Sequence, residues 1–432
     1  MTKKLRVKPI MTDKEISSKE GEYFDESHYT IILNSDTDVY THAGDLLLKF
    51  RKGVLDVEHG MEIAKQLKTA AKKTHENRGA SAGELDRNKL ANYIGDLVTP
   101  GKFRTRFKST KTGILSKQAT SNLSPSNIIG FFDRPDRNLK GKGAPCRLTA
   151  FNRDHPEIWQ MVLPFIKVCD KQFKKLTPNR YKIQYKQAQL VDKFAIDGTS
   201  FSTVTINYSW RTALHRDAGD LVEGFGNLIV LKDPTNKNDY DGCYTGFPQY
   251  GIAINVQPGD FLAMNVHEWH CNTEFKPKHT NIIGKWSNRE IVNNWYFNRL
   301  SMVCYLREKM IRCKNMRSDK VQLLQTKKSK NMLFNVIKNY PRPDTYMEFT
   351  KKLGYLKSSI TRALKTTDPI IINLSVSNYY SYFVYYYEDF TDDNTPKNTA
   401  KFLKTLNILI GKFNNFDSAN QTLIDNFKKK LL

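Results

Sequence analysis

The sequence predicts an α+β protein, with a jelly-roll core of short strands, supporting helices and a basic, mainly helical C-terminal region. Three observations carry that prediction. Residues 181–307 break into short β-type runs separated by turn residues, the texture of an antiparallel barrel. Just before them, Trp159, Val162, Leu163, Ile166, Cys169 and Phe173 recur at helical spacing. Beyond them, residues 301–432 hold 23 Lys/Arg against 11 Asp/Glu, a net +12. That stretch mixes helical segments at 320–339 and 399–413 with the aromatic run YYSYFVYYYEDF at 379–390.

At 432 residues the chain exceeds one average domain, and 39% hydrophobic content is ample for a core. We read residues 1–27 as a flexible lead-in, 28–124 as a basic α/β region, 125–310 as the jelly-roll domain and 311–432 as a basic accessory domain. The formal charge of +24, from 68 basic against 44 acidic side chains, favours a polyanionic partner. Each phosphate neutralised releases counterions and adds affinity without regard to sequence. A lysine-rich surface kept for solubility is the plainer alternative. The six cysteines are scattered, with no C-x-x-C pair, which argues against a zinc ribbon or a disulfide scaffold and for a reducing compartment. No run approaches the ~18 apolar residues of a membrane span, and MTKKLRVKPIM lacks an apolar signal core. The expectation is an intracellular protein without a membrane, nuclear or cytoplasmic and possibly viral. Nothing in the sequence marks an oligomeric state.

Along the chain, a first strand is expected at Tyr29–Leu33, and GMEIAKQLKTAAKKT (60–74) places Met61, Ile63, Ala64, Leu67 and Ala70 on one helical face. KFRTRFK (102–108) alternates strictly. On a strand, Lys102, Arg104, Arg106 and Lys108 share one side while Phe103, Thr105 and Phe107 share the other. Such a row suits a nucleic-acid backbone, and it equally suits an edge strand protected by charge. Residues 109–145 read as a long loop or an ordered excursion, and Asp154 and Pro156 as the start of the helix that follows. The barrel strands are expected at 182–188, 202–208, 227–232, 251–256, 260–266, 280–286 and 300–306, with Pro258-Gly259-Asp260 marking a tight hairpin.

The chemistry concentrates in His215-Arg216-Asp217, His270 of WHCNT and Arg299 of RLSMVCYL. Two imidazoles and one carboxylate can cap one face of an Fe(II) ion and leave the opposite positions open. A His-x-Asp triplet alone is weak evidence, and His155-Pro156-Glu157, at a helix start, is a decoy. The 215–217 triplet instead follows a β run and precedes a glycine-rich turn, and alternation lets His215 and Asp217 point the same way. His267 and His270 both follow the strand DFLAMNV; His270 is favoured as the second imidazole, with His267 as an outer hydrogen-bond partner or a surface residue. Arg299 opens an apolar strand, where a charge is costly unless it meets an anion. Its partner would be the far carboxylate of 2-oxoglutarate, with Ser301 one strand period away as a second donor. A strand-end salt bridge is the plainer reading of Arg299 taken alone.

RTALHRDAGDLVEGFGNLIVL, YTGFPQYGIAINVQPGDFLAMNVHEWHCNT and RLSMVCYL resemble the TET/JBP family of DNA-base dioxygenases, in its viral, phage and kinetoplastid-like branch. SNIIGFFDRP and PCRLTAFNR extend the resemblance over roughly 125–310. It implies a double-stranded β-helix, with Fe(II), 2-oxoglutarate and O2. It also implies His215, Asp217 and His270 as iron ligands and Arg299 as the 2-oxoglutarate anchor. The implied reaction is oxidation of the 5-methyl group of thymine or 5-methylcytosine in DNA. A metal inside a barrel cannot reach a stacked base, so double-stranded DNA with a flipped base is the expected substrate. Tyr208, Phe225, Tyr250 and Trp269 are candidate stacking platforms, against ordinary packing. The cysteine-rich zinc region of animal TET proteins is absent, a long polar insert separates His270 from Arg299, and the basic tail matches no J-binding domain. Competing readings are a dioxygenase acting on RNA bases or protein side chains, and a nucleic-acid-binding protein whose barrel has lost activity.

Overall fold

The computed structural model describes residues 2–71, 73–74, 78–86, 96–98, 101–116, 119–133, 146–278, 297–314, 335–336, 339–340, 342–366 and 369–386. The chain divides into two compact units, Met1–Phe132 with Thr149–Ile311, and Asp133–Leu148 with Arg312–Leu432.

The first unit is α+β and centres on a large mixed sheet. Its strands run in the order Lys3–Val7, Thr37–Thr41, Leu46–Arg51, Phe261–Met264, Gly226–Lys232, Arg299–Tyr305, Thr203–Tyr208, Ser124–Phe132 and Lys73–Thr74. All neighbours pair antiparallel except the first two, which are parallel. A smaller sheet orders Cys271–Asn272, Thr245–Phe247, Ile252–Ile254 and Ile31–Leu33.

The two-residue period of these strands sorts their side chains. Val204, Ile206, Tyr208, Ile229, Leu231, Leu300, Met302 and Cys304 pack against Phe165, Ile166, Cys169 and Phe173 of the helix Pro156–Leu176 and against Ile63, Ala64 and Leu67 of the helix Val57–Leu67. On the opposite face, Leu228, Val230, Leu262 and Met264 pack against Phe247, Ile252 and Ile254 of the smaller sheet. The alternate residues of the central strands, Thr205, Asn207, Arg299, Ser301, Val303 and Tyr305, line a cavity of ≈ 190 Å³.

Most expected strands form within two or three residues of their predicted ends, and two expectations fail. Residues 182–188 belong to the helix Pro178–Leu190, which Pro178 starts and which buries Tyr181, Gln184 and Ala188 at helical spacing. The lead-in is ordered: Lys3–Val7 joins the main sheet, and the helix Asp13–Ser18 is closed by a capping box between Thr12 and Glu15. Its polar composition hid this, because backbone pairing and a cap hold it in place with few apolar side chains. Of the two readings of 109–145, the strand Ser124–Phe132 fits the ordered one. The expected strand at 280–286 and the helix at 399–413 lie outside the described residues, as does most of 320–339.

In the second unit the helices Tyr346–Thr366 and Pro369–Tyr386 pack together, with Phe349 stacked on Tyr382 at 5.8 Å. The aromatic run is therefore core: Tyr379, Tyr380, Tyr382, Phe383, Tyr385 and Tyr386 are all buried. Cys146 and Cys313 form a disulfide across 167 residues, contrary to the expectation drawn from scattered cysteines; the other four are free and buried. Among the described residues no helix is long and apolar enough to cross a membrane.

Phe173 tests the helix–sheet layer. It is fully buried, stacked on Phe201 at 5.9 Å and edge-on to Tyr181 at 5.6 Å. Phe173→Ala is expected to cost about 3–5 kcal/mol, read as a lower denaturant midpoint at unchanged slope. A loss below about 1 kcal/mol would mean that the layer repacks freely.

Candidate metal and anion site

Residues 212–217 and 266–272 run antiparallel beside the sheets. Asn272 donates its N–H to the Thr212 carbonyl at 3.0 Å, His215 and His270 exchange both backbone hydrogen bonds at 3.0 Å, and Asp217 donates to Val266 at 3.0 Å. This pairing brings the two imidazoles together, with ring centroids 4.3 Å apart and planes tilted by 50°. Each ring turns Nδ1 to the carbonyl two residues upstream: His215 to Ala213 at 2.7 Å and His270 to Glu268 at 2.9 Å. With the proton on Nδ1 in each ring, the Nε2 lone pairs are left for a ligand. Those nitrogens lie 3.6 Å (His215) and 3.9 Å (His270) from the Asp217 carboxylate oxygens. Donors about 2.1 Å from a shared divalent ion span such distances. Among the described residues this is the cluster that could hold a metal, its donor atoms all within 4.8 Å of one another.

The sequence had left His267 open as an alternative to His270. The structure puts His267 outside that cluster and outside the cavity lining, with its Nε2 buried and without a hydrogen-bond partner among the described residues. Arg216 points away from the cluster, as alternation requires, and its guanidinium lies 4.4 Å from the Trp269 ring. The decoy His155 sits at the start of the Pro156–Leu176 helix with Glu157 3.7 Å away.

Arg299 is 3% exposed, and its Nε and Nη2 have no hydrogen-bond partner among the described residues. It pairs with Lys232 through the backbone and lines the same cavity as His215, Asp217 and His270. Buried guanidinium N–H groups without an acceptor are costly, and a carboxylate entering the cavity is the group that fits its two-pronged fork. Among the described residues no carboxylate forms a salt bridge with Arg299. Ser301 follows one period later. Asn207 Nδ2 approaches its hydroxyl at 3.5 Å, while Asn207 Oδ1 accepts from Ser126 at 2.5 Å. The Ser301 proton thus remains available to a ligand. Thr245, also in the lining, has a buried hydroxyl with no partner among the described residues.

The lining also includes Arg78, Ser81, Trp210 and Arg307, which no sequence motif marked. The suggested stacking residues are not in it. Tyr208 donates to Asp233, Tyr250 donates to Glu268, and Phe225 and Trp269 are core. Trp210, with Tyr305, is an aromatic ring that does line the cavity.

Comparison with known proteins adds to this geometry. Residues 129–308 match the family model Tet_JBP, the oxygenase domain of the 2OGFeDO superfamily. The chain is 30% identical over 296 residues to the thymine dioxygenase JBP1 of Trypanosoma brucei brucei, covering 62% of this chain and 32% of that protein. It is 31% identical over 218 residues to the thymine dioxygenase JBP1-B of Trypanosoma cruzi (strain CL Brener), covering 50% and 22%. The chain thus spans about a third or less of the length of these curated relatives. Among solved structures, NgTET1 in complex with 5mC DNA aligns at a TM-score of 0.38 and 11% identity, covering 69% of this chain and 92% of that one. The TET/JBP resemblance of the sequence motifs is matched by the family model and by these relatives.

Burial and the neighbouring His215 push the His270 imidazole down from 6.5 to about 4. The fold keeps it neutral where the unfolded chain, titrating near 6.5, takes up a proton. Metal-free protein is therefore expected to lose stability as pH falls from about 6.5 towards 4. His270→Gln should flatten that part of the curve in chemical denaturation of the metal-free protein. Identical pH profiles for the two proteins would mean that His270 charges without penalty in the fold.

Proposed function

We propose that this chain is an Fe(II)/2-oxoglutarate-dependent dioxygenase that hydroxylates the 5-methyl group of a pyrimidine, thymine or 5-methylcytosine, in double-stranded DNA. The observation that carries the reading is one cavity holding both a two-histidine, one-aspartate donor face and a buried guanidinium whose Nε and Nη2 have no hydrogen-bond partner among the described residues. The Tet_JBP match over 129–308 supports the reaction class, and relatives named thymine dioxygenases support a thymine methyl. We read the two packed sheets as the double-stranded β-helix of the 125–310 domain, extended by N-terminal strands, with 311–432 as its accessory region.

In this reading His215, Asp217 and His270 hold Fe(II), and their Nδ1 contacts fix both rings before the metal arrives. Bound iron with 2-oxoglutarate and O2 supplies the oxidising chemistry, with succinate and CO2 as co-products. Arg299 grips the far carboxylate of 2-oxoglutarate and Ser301 adds a hydrogen bond. The helix-backed sheet behind them excludes water from one side of the cavity. The methyl group of a stacked base cannot reach a cavity walled by strands, so the base leaves the duplex at a cost of a few kcal/mol. Trp210 is then the ring against which the flipped base packs.

Mass spectrometry of nucleosides, after incubation with Fe(II), 2-oxoglutarate and thymine- or 5-methylcytosine-containing DNA and RNA, decides the substrate. A hydroxymethyl pyrimidine from duplex DNA, lost in His215→Ala, is the expected result; none from any substrate would sink the base-hydroxylase reading. Arg299→Lys, which keeps the charge but loses the fork, should raise KM for 2-oxoglutarate about 10- to 100-fold. An unchanged KM would remove Arg299 from the co-substrate site.

A further inference from the structure

The basic segment at 102–108, which ends in the strand Arg106–Lys108, and the loop at 78–86 form one connected piece with the candidate metal site. Lys102, Arg104, Arg106 and Lys108 are exposed, Phe103 packs on Gly21, and Thr105 and Phe107 are buried beneath. Charge protection of a free edge does not explain the row, because both edges are paired. On one side Arg106–Lys108 pairs with Asp96–Val98. On the other, Thr105 and Thr120 exchange backbone hydrogen bonds at 2.9 and 2.8 Å, and Ser116 donates to the Phe107 carbonyl at 2.7 Å. The cations therefore guard no open strand.

What the row does have is a short mechanical route to the site. Leu85 donates to the Lys102 carbonyl at 2.8 Å. The Asn122 amide, two residues beyond Thr120, donates to the carbonyls of Ala82 at 2.9 Å and Glu84 at 2.7 Å, and accepts from Asp86 N–H at 3.0 Å. The same loop places Arg78 and Ser81 in the cavity lining. Ser81 in turn accepts the Ala213 N–H at 3.0 Å, and the Ala213 carbonyl orients the His215 ring.

We propose that the exposed face of residues 102–108 is a docking rail for the phosphate backbone of duplex DNA, which sets the position of the flipped base relative to the metal site. This deepens the proposed function and rests on it. Alternate residues of a strand stand about 6.6 Å apart, which is the spacing of Arg106 and Lys108 on the strand Arg106–Lys108, and the exposed Arg104 just before it extends the row. Lys102 contributes less, since its Nζ already meets Glu84 at 3.2 Å. A line of cations reads the backbone and not the bases, and so it fixes register without choosing sequence.

The test compares salt dependence of duplex binding in the full chain. Removing three phosphate contacts lowers the slope of log K against log salt by about 2.7. Arg104→Ala/Arg106→Ala/Lys108→Ala is expected to show that loss, while Arg104→Lys/Arg106→Lys keeps the wild-type slope. A control triple, Lys171→Ala/Lys175→Ala/Lys182→Ala, removes the same charge from exposed helical positions and should leave the slope unchanged. Thermal midpoint and Co(II) binding report whether each variant folds. Equal slopes for the rail variant and wild type, or equal losses in the rail and control triples, overturn the rail. A wild type that makes no hydroxymethyl base overturns the function instead, while the slope comparison still decides the rail.

Discussion

The candidate site depends on the backbone pairing of 212–217 with 266–272. Neither segment's motif is a site alone: His215-x-Asp217 supplies two donors and WHCNT supplies one. Reciprocal hydrogen bonds between His215 and His270 close the gap, and the flanking contacts of Thr212 with Asn272 and Asp217 with Val266 stop the register from slipping. A one-residue slip would send one imidazole to the far side, since side chains alternate along a paired segment. The Nδ1 contacts to Ala213 and Glu268 are the same device used twice. They make ring orientation a property of the backbone, so the donor face is set before any ion is bound.

A second constraint comes from the central strands, each of which serves two surfaces. On Arg299–Tyr305, Leu300, Met302 and Cys304 anchor the helix layer while Arg299, Ser301 and Val303 face the cavity. The apolar half of the strand holds the polar half rigidly. It also explains how a guanidinium with two nitrogens unpartnered among the described residues is tolerated at 3% exposure. The cost of burying it is offset by the surrounding apolar packing, and an incoming carboxylate recovers part of that cost as affinity.

Much of this was legible in the sequence, and the failures have physical causes. The cavity-facing alternation of Arg299 and Ser301, the outward turn of Arg216 and the exposed row at 102–108 all follow from a period of two. The helix at 156–176 follows from its apolar spacing and Pro156. Pattern favoured His270 without excluding His267, because three residues apart after a strand either can turn inward. Only the partner segment decides, and His215 pairs with His270. The helix at 178–190 was misread because its buried residues, Tyr181, Gln184 and Ala188, are too polar and too small to show an apolar stripe. The N-terminal strand and the Cys146–Cys313 disulfide rest on long-range partners that no local window contains.

The same reasoning separates the two sides of the cavity. The metal and co-substrate side must meet small ligands of fixed geometry, and that demand concentrates on few residue types at short spacing: His, Asp, Arg, Ser. Such residues stand out in a sequence. The other side, where Arg78, Ser81 and Trp210 line the wall, need only match a larger and more variable surface. Arg78 and Ser81 come from a loop held by Asn122 and Ala213 through backbone contacts that any side chain at 78–86 can make. Backbone-held loops leave no pattern of residue types. Chemistry is therefore written into this chain as motif, and substrate placement as tertiary contact.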